Sequence, residues 1–135
     1  MVVTFRISTE LLAQVIGEAA ATPEVEVCGL LLGSGGRVTE ARSCRNVAAD
    51  PASRFEIDPA VLLVAHRQAR AGGPAILGCY HSHPSGVAEA SRRDAADAAQ
   101  DGWLWLIVAG GEVRAWETVR RGERWGRFNE VAWVV

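Results

Sequence analysis

Residues 75–83 read Ala-Ile-Leu-Gly-Cys-Tyr-His-Ser-His, an apolar run that ends in two histidines separated by one residue. A short apolar run of this kind is typical of a central strand, so residues 75–81 are predicted to form one. His81 then lies at the carboxyl end of the strand, and His83 follows it. Side chains two residues apart on an extended chain point the same way, so both imidazoles can bind one metal ion.

Ser91 precedes a third predicted helix, over residues 92 to about 100, and Asp94 lies in its first turn. One oxygen of Asp94, two imidazole nitrogens and a position left to water form the donor set of a catalytic rather than a structural zinc site. Ser91 and Asp94 also fit a capping box, in which each side chain accepts a hydrogen bond from the other residue's amide. The spacing leaves both interpretations open, and they are compatible.

The other predicted elements place this stretch in an α/β architecture. Strands alternate with helices in the first half of the chain and follow one another in the second half, which indicates a mixed sheet flanked by helices. The further predicted strands cover residues 2–7, 26–33, 37–47, 55–57, 103–109, 112–119 and 125–135. The further predicted helices run from a cap at Ser8 or Thr9 to about Ala21, and from Asp58-Pro59 to a stop at Gly72-Gly73.

The composition is that of one globular domain, taken to cover residues 1–135. Hydrophobic residues make up 49% of the chain and charged residues 22%. A net charge of −2 gives no general attraction to nucleic acid or to an anionic membrane, so neither is expected as a partner. No apolar run approaches the ~18–20 residues that cross a bilayer, and the N-terminus does not resemble a secretory signal. A cytoplasmic protein is expected.

The basic residues and the cysteines exclude several mechanisms. All fourteen basic residues are arginines, which excludes Schiff-base enzymes, lysine-dependent P-loops and Ser-Lys hydrolases. The three cysteines (Cys28, Cys44 and Cys79) are widely spaced and form no C-x-x-C pair. This pattern argues against a disulfide framework or a four-cysteine zinc site, and it predicts small buried apolar side chains.

A second motif completes a recognisable pattern. Residues 26–33 read Glu-Val-Cys-Gly-Leu-Leu-Leu-Gly, and with His81-Ser82-His83-Pro84, Ser91 and Asp94 they resemble the JAMM (MPN+) metalloprotease family. The family pattern is a glutamate, then H-[S/T]-H, seven residues, a serine, two residues and an aspartate. This chain matches it without a gap, and the resemblance spans about residues 6–119. It implies the MPN (JAMM) fold, a curved mixed β-sheet flanked by about three helices and similar to that of cytidine deaminases.

The resemblance also implies a role for each motif residue. His81, His83 and Asp94 would hold one Zn²⁺ per chain, with water as the fourth ligand. Glu26 would be the general base that takes a proton from this water and later gives it to the leaving amine. Ser91 would help to stabilise the oxyanion of the tetrahedral intermediate.

Other polar and aromatic residues, most of them close to the motif, are predicted to have no direct catalytic or metal-binding role. Glu24 is a competing base, but Glu26 has the family's spacing to the following Cys-Gly pair. Ser82 faces away from the two histidines and is predicted to support them through hydrogen bonds, whereas Tyr80 is predicted to lie in the core. His66 is predicted on a solvated helix face rather than as a further ligand.

Two segments leave a question open. Residues 114–127 contain five arginines interleaved with Trp116 and Trp125. Binding of nucleic acid or of an acidic partner is conceivable there, but the preferred interpretation is a strand hairpin with a solvated arginine face. In the other segment, Val87 and Ala90 stand where family loops often carry proline, so the rigidity of this loop is open.

By resemblance, the substrate is the C-terminal tail of a ubiquitin-like or sulfur-carrier protein that ends in Gly-Gly. The reaction is hydrolysis of the peptide or isopeptide bond after that diglycine, as in a deubiquitinase. One alternative is a non-catalytic MPN scaffold, which usually lacks the ligands. Another is a JAMM domain in DNA repair, which typically comes with additional domains. A zinc deaminase needs H-x-E and P-C-x-x-C, and neither occurs in the sequence.

Overall fold

Three helices and seven strands form the part of the chain that the computed structural model describes, residues 3–84 and 86–135. In chain order they are β1 (Val3–Arg6), α1 (Thr9–Ala21), β2 (Cys28–Ser34), β3 (Arg37–Cys44), α2 (Pro59–Arg70), β4 (Ala75–Ser82), α3 (Arg92–Asp97), β5 (Leu104–Ala109), β6 (Glu112–Gly122) and β7 (Gly126–Val134).

Capping side chains begin the two longer helices where the sequence predicts them. Ser8 accepts a hydrogen bond from the Leu11 amide (3.2 Å) at the start of α1. Asp58 accepts one from the Ala60 amide (2.9 Å), and Pro59 occupies the first position of α2. Among the described residues, no helix has the length and hydropathy needed to cross a membrane.

The seven strands form one mixed sheet in the order β1-β3-β2-β4-β5-β6-β7. The first strand, β1, closes this order into a barrel because it pairs with both β3 and β7. Near the centre, β4 is antiparallel to β2 and parallel to β5. The predicted α/β class with a mixed sheet is confirmed. Closure was not predicted, since pairing between the first and last strands leaves no local sequence pattern.

Alternate residues of the central strands face two apolar clusters. Leu30 faces the cluster that packs against α2, and the next residue, Leu31, faces the cluster that packs against α1. Tyr80 lies fully buried in the α1 cluster, as predicted, and its hydroxyl donates to Oε1 of Glu18 (2.7 Å). A Cβ at Gly29 would lie 2.4 Å from the Tyr80 ring, which explains the glycine of the first motif.

The structure corrects the boundaries of the elements around Glu26. The strand β2 begins at Cys28, so Glu26 lies outside the strand in which it was predicted. Its amide donates instead to the Pro51 carbonyl oxygen (2.7 Å), a loop contact that no strand pattern reveals. The next strand ends at Cys44 rather than at residue 47, and residues 55–57 contribute only an isolated bridge.

Other boundaries differ by fewer residues. The helix α3 ends at Asp97 rather than near residue 100, because Ala98 has an extended backbone. The hairpin through Gly110 and Gly111 forms as predicted, but its second strand continues to Gly122. Residue 2 of the predicted first strand lies outside the described residues.

The cysteines are free thiols. Cys28 and Cys79 are buried and Cys44 is half-buried, so the prediction of small apolar side chains is confirmed for the first two. Burial raises the pKa of Cys28 to about 12, which keeps this thiol protonated and unreactive at neutral pH.

Candidate metal centre

Three side chains from a strand end and a helix start converge on one point. His81 is the next-to-last residue of β4, His83 follows the strand, and Asp94 lies in the first turn of α3. The two Nε2 atoms are 3.1 Å apart, and each lies 3.1 Å from a different oxygen of Asp94. The three ligand atoms lie within 4.8 Å of one another. Two imidazole nitrogens and a carboxylate oxygen at this spacing fit a divalent ion such as zinc.

A loop carbonyl orients His83 for metal binding. Its Nδ1 donates to the Val87 carbonyl oxygen (2.8 Å). In the neutral imidazole this leaves Nε2 unprotonated, which is the form that binds a metal. This Nε2 atom of His83 faces His81 and Asp94.

The capping box forms at the start of α3. The Asp94 amide donates to Oγ of Ser91 (3.0 Å), and the Ser91 amide donates to Oδ2 of Asp94 (3.0 Å). Burial opposes ionisation of Asp94, but the electrostatic attraction of His81, the hydrogen bonds from both histidines and the hydrogen bond from the Ser91 amide outweigh burial and hold the pKa of Asp94 well below its usual range. One helix start therefore caps α3 and presents an anionic carboxylate to both histidines.

Aromatic rings surround His81. Phe55 stacks on its imidazole with ring centroids 4.3 Å apart, and Trp105 meets it edge-on at 5.5 Å. Burial lowers the pKa of His81 and so favours the neutral imidazole, although the charge of Asp94 opposes this effect. Its Nδ1 has no hydrogen-bond partner within the described residues.

Glu26 is buried close to this group. Glu26 is only 5% exposed, and its Oε1 accepts no hydrogen bond from any described residue. Burial, and after it the negative charge of Asp94, raise the pKa of Glu26 from 4.5 to about 7. Glu24, the competing carboxylate, is exposed.

Ser82 connects the Glu26 segment to the strand that carries His81. Its Oγ accepts a hydrogen bond from the Val27 amide (2.9 Å), and its own amide donates to the Val27 carbonyl oxygen (3.0 Å). Ser82 therefore acts through hydrogen bonds, as predicted, but they hold the neighbour of Glu26 rather than the histidines.

Side chains from the turn between β6 and β7 hold the loop that precedes Ser91. Nε of Arg124 and Nε1 of Trp125 both donate to the Ala90 carbonyl oxygen, at 2.9 and 2.8 Å. Because Ala90 directly precedes Ser91, these two bonds fix the chain where α3 begins. Side-chain hydrogen bonds thus restrain this end of the loop where the sequence lacks proline.

The solvated arginine face predicted for residues 114–127 is wrong for three of its members, among them Arg127, which pairs with Asp101 and has a side chain only 20% exposed. Arg114 pairs with Glu130 (2.7 Å) and Glu89 (3.6 Å), and Arg124 pairs with Glu89 (3.1 Å). The Arg114 and Arg124 side chains are about one third exposed, at 29% and 33%. They connect the hairpin to the loop before α3 instead of pointing freely into solvent.

Sequence reasoning missed two contributors to the site. Phe55 covers His81, and Nδ2 of Asn46 donates to the Glu26 carbonyl oxygen (2.9 Å). Neither residue belongs to a motif, and an asparagine in a loop is an ordinary turn residue, so no local signal identified them. His66 is exposed on α2, as predicted.

The fold and the site define an α/β protein whose central strand delivers two histidines to an aspartate on a neighbouring helix. Residues 8–119 match the family described as prokaryotic homologs of the JAB domain, and the chain belongs to this family. The predicted membership in the JAMM/MPN+ group is thereby confirmed.

Two curated relatives are both named desampylase. The protein of Haloferax volcanii is 36% identical over 93 residues, which cover 67% of each chain. That of Pyrococcus furiosus is 33% identical over 117 residues, which cover 83% of each chain.

Solved structures share the fold at lower sequence identity. A protein from Desulfitobacterium hafniense has a TM-score of 0.79 and 23% identity, with 97% of this chain and 91% of that chain covered. A JAB1/MPN domain protein from Archaeoglobus fulgidus has a TM-score of 0.63 and 21% identity, with 98% of both chains covered. The predicted MPN fold is confirmed.

Proposed function

We propose that this chain is a zinc-dependent peptidase or isopeptidase that cleaves after the C-terminal Gly-Gly of a ubiquitin-like or sulfur-carrier protein. The observation that carries the proposal is the group formed by His81, His83 and Asp94, whose ligand atoms lie within 4.8 Å of one another. The buried carboxylate of Glu26 close by supports hydrolysis rather than a purely structural metal site.

The donor set fits one zinc ion and leaves room for a further ligand. His81, His83 and Asp94 supply three protein ligands, which is typical of catalytic zinc sites, whereas structural sites use four. When bound, the ion supplies Lewis-acid chemistry and lowers the pKa of water from 15.7 towards ~7. A non-catalytic scaffold needs none of these side chains.

Glu26 is the proposed general base. A carboxylate whose pKa is raised by burial to about 7 holds a proton more readily than an exposed one. It can therefore take a proton from the attacking water at neutral pH and release it to the leaving amine. Oε1 accepts no hydrogen bond from the described residues, which leaves that oxygen available for water.

Ser91 is proposed to stabilise the oxyanion that forms on the substrate carbonyl. Its Oγ accepts a hydrogen bond from the Asp94 amide, so the oxygen is fixed in place while its own hydroxyl hydrogen can still be donated. The capping role and the catalytic role therefore use different parts of one hydroxyl group.

Replacing Ser91 with alanine tests both roles. We expect kcat to fall by about 10²–10³-fold, because one oxyanion donor is lost. We also expect the free energy of unfolding to fall by about 1 kcal/mol, because the cap of α3 is lost. Steady-state kinetics and denaturant unfolding measure the two effects. Ser91→Thr, which keeps a hydroxyl and can still cap, is the matched control. A stability loss with unchanged kcat would assign Ser91 to the cap alone.

The substrate class rests on the relatives. Both curated relatives are named desampylase, and the resemblance to the JAMM family implies a ubiquitin-like or sulfur-carrier tail as the substrate. The chain matches 83% of the Pyrococcus furiosus enzyme, so the similarity extends well beyond the motif. We therefore propose a ubiquitin-like tail as the acyl portion of the substrate.

The proposal is tested by intact-mass spectrometry with two substrates. One is a ubiquitin-like sulfur carrier with residues added after Gly-Gly, and the other is the same carrier joined through Gly-Gly to a lysine side chain. We expect the zinc-loaded protein to produce a mass that ends at Gly-Gly from at least one of them. Chelated protein and Glu26→Gln are the inactive controls. If neither substrate is cleaved by protein that holds one zinc per chain, the proposed substrate class is wrong.

A further inference from the structure

Glu26 needs a support that the sheet does not give it. It precedes the first residue of β2 by two positions, so no strand ladder places it. Its backbone is held by two loop contacts instead. The amide donates to the Pro51 carbonyl oxygen (2.7 Å), and the carbonyl oxygen accepts from Nδ2 of Asn46 (2.9 Å).

The Asn46 side chain also organises the loop that follows it. Its Nδ2 donates to the Arg54 carbonyl oxygen (3.0 Å), while Oδ1 accepts from the amides of Ala48 (3.0 Å) and Glu56 (3.1 Å). With the bond to Glu26, both donor hydrogens and both acceptor sites of this amide group are used. One side chain thus joins three segments of backbone.

The same loop carries the ring that covers a metal ligand. Phe55 lies between Arg54 and Glu56, the two residues that Asn46 holds by their backbone. Its ring stacks on His81 at a centroid distance of 4.3 Å. Asn46 is therefore bonded directly to the Glu26 backbone. It also holds Arg54 and Glu56, the two neighbours of Phe55, and so restrains the Phe55 ring against His81.

We infer that Asn46 is a positioning residue that holds the Glu26 carboxylate at its working distance from the metal ligands. The inference rests on the proposed function, in which Glu26 is the general base. The hydrogen bonds of the Asn46 side chain go to backbone groups, so Asn46 acts through Glu26 and Phe55. A displacement of a catalytic group by about 1 Å can cost about a hundredfold in rate, which sets the size of the effect.

Two substitutions of Asn46 separate the contributions. Asn46→Asp keeps the shape and the acceptors for the Ala48 and Glu56 amides, but it cannot donate to the carbonyl oxygens of Glu26 and Arg54. Asn46→Ala removes these four bonds together with a longer one from Nδ2 to the Pro51 carbonyl oxygen (3.5 Å), and it adds no charge. If Asn46→Ala does not fold, the isosteric aspartate variant still provides the result.

Gln14→Ala is the control for a general loss of structure. Gln14 on α1 also donates from its side-chain amide to a backbone carbonyl, that of Ala41 (2.7 Å), and to Oε2 of Glu18 (2.9 Å). Within the part of the chain that the structure describes, it forms no hydrogen bond to a proposed site residue. Its removal therefore costs a comparable hydrogen bond without disturbing the Glu26 segment.

The experiment measures kcat and KM on the cleaved Gly-Gly substrate, zinc content and thermal midpoint for each variant. We expect both Asn46 variants to lose about a hundredfold in kcat, to keep KM within about threefold and to hold one zinc per chain. Gln14→Ala should keep kcat within about threefold. If the role of Asn46 were merely structural, the Asn46 variants would have a lower thermal midpoint, but they would not show a large loss in kcat at nearly unchanged KM.

Each failure has its own signature. If Glu26→Gln keeps full turnover, the proposed general base is wrong, whatever the Asn46 variants do. If Glu26→Gln is inactive while both Asn46 variants keep full kcat, the positioning role alone is overturned. It is also overturned if Gln14→Ala loses as much kcat as the Asn46 variants.

Discussion

Glu26→Gln is expected to lower turnover by about 10²–10⁴-fold while the protein keeps one zinc per chain. Glutamine has nearly the same shape as glutamate, but it cannot take a proton from water at neutral pH. Glu26 is not among the three residues whose ligand atoms converge, so its loss should leave metal binding intact. Single-turnover kinetics and metal analysis of the purified variant measure the two quantities.

The same substitution is expected to stabilise the zinc-free protein above pH 7. Burial and the charge of Asp94 raise the pKa of Glu26 from 4.5 to about 7. Between these values the folded state binds more protons than the unfolded state, so this group's contribution to stability falls as pH rises through that window. At about 1.4 kcal/mol per pKa unit, the cost of ionising Glu26 is roughly 3 kcal/mol at most.

Denaturant unfolding of the zinc-free proteins at pH 4 and pH 8 tests this expectation. The variant should be more stable than the unaltered chain at pH 8, and the difference should be nearly absent at pH 4, where glutamate is also neutral. Glu24→Gln is the matched control, because Glu24 is an exposed carboxylate two residues earlier. It should keep both turnover and stability. Normal turnover by Glu26→Gln would remove Glu26 from the mechanism.

Asp94→Asn is expected to abolish both zinc binding and hydrolysis. The substitution keeps a side-chain oxygen that can accept the Ser91 amide, so the capping box can still form. It removes the negative charge that faces both histidines at 3.1 Å. A neutral amide oxygen is a far weaker zinc ligand than a carboxylate, and zinc sites use carboxylate, imidazole or thiolate ligands.

Asp97→Asn provides the comparison for this loss. Asp97 ends the same short helix, and its carboxylate forms an ion pair with Arg54 at 3.4 Å. An exposed ion pair contributes about 0–1 kcal/mol, so this variant should bind zinc and turn over normally. Metal titration by calorimetry and the mass-spectrometric assay would distinguish the two variants. Full zinc occupancy in Asp94→Asn would show that the ligand assignment is wrong.

Much of the fold was accessible from local sequence patterns. Apolar runs gave the buried strands, because residues 28–33 and 78–82 are buried on both faces of the sheet. Ser8 and Asp58 marked the helix starts because capping is a local interaction. Spacing made the two histidines and Asp94 candidate ligands, since strand and helix geometry converts spacing into direction, and the resemblance to the JAMM family then favoured them over a simple helix cap.

The remaining features depend on contacts between distant parts of the chain. Glu26 is held outside its strand by Asn46, which lies 20 residues away in the sequence. Phe55 stacks on His81, although the two residues lie far apart in the sequence. The pairing of Arg124 with Glu89 turned a predicted solvent-facing arginine into a restraint on the loop before Ser91. Contacts of this kind follow no sequence periodicity and belong to no sequence motif, so the sequence alone does not reveal them.

Asp94 lies on a helix of only six residues, so the stability of the folded chain depends on the amount of zinc available to it. A helix this short is not stable alone, so α3 depends on its attachments. An ion that binds His81, His83 and Asp94 together cross-links α3 to the end of β4, a link that the unfolded chain lacks. At a free concentration of 100 times its dissociation constant, it adds about 2.7 kcal/mol to the free energy of unfolding. Cells short of zinc would then hold less of this protein, because the apo form would unfold and be degraded more often.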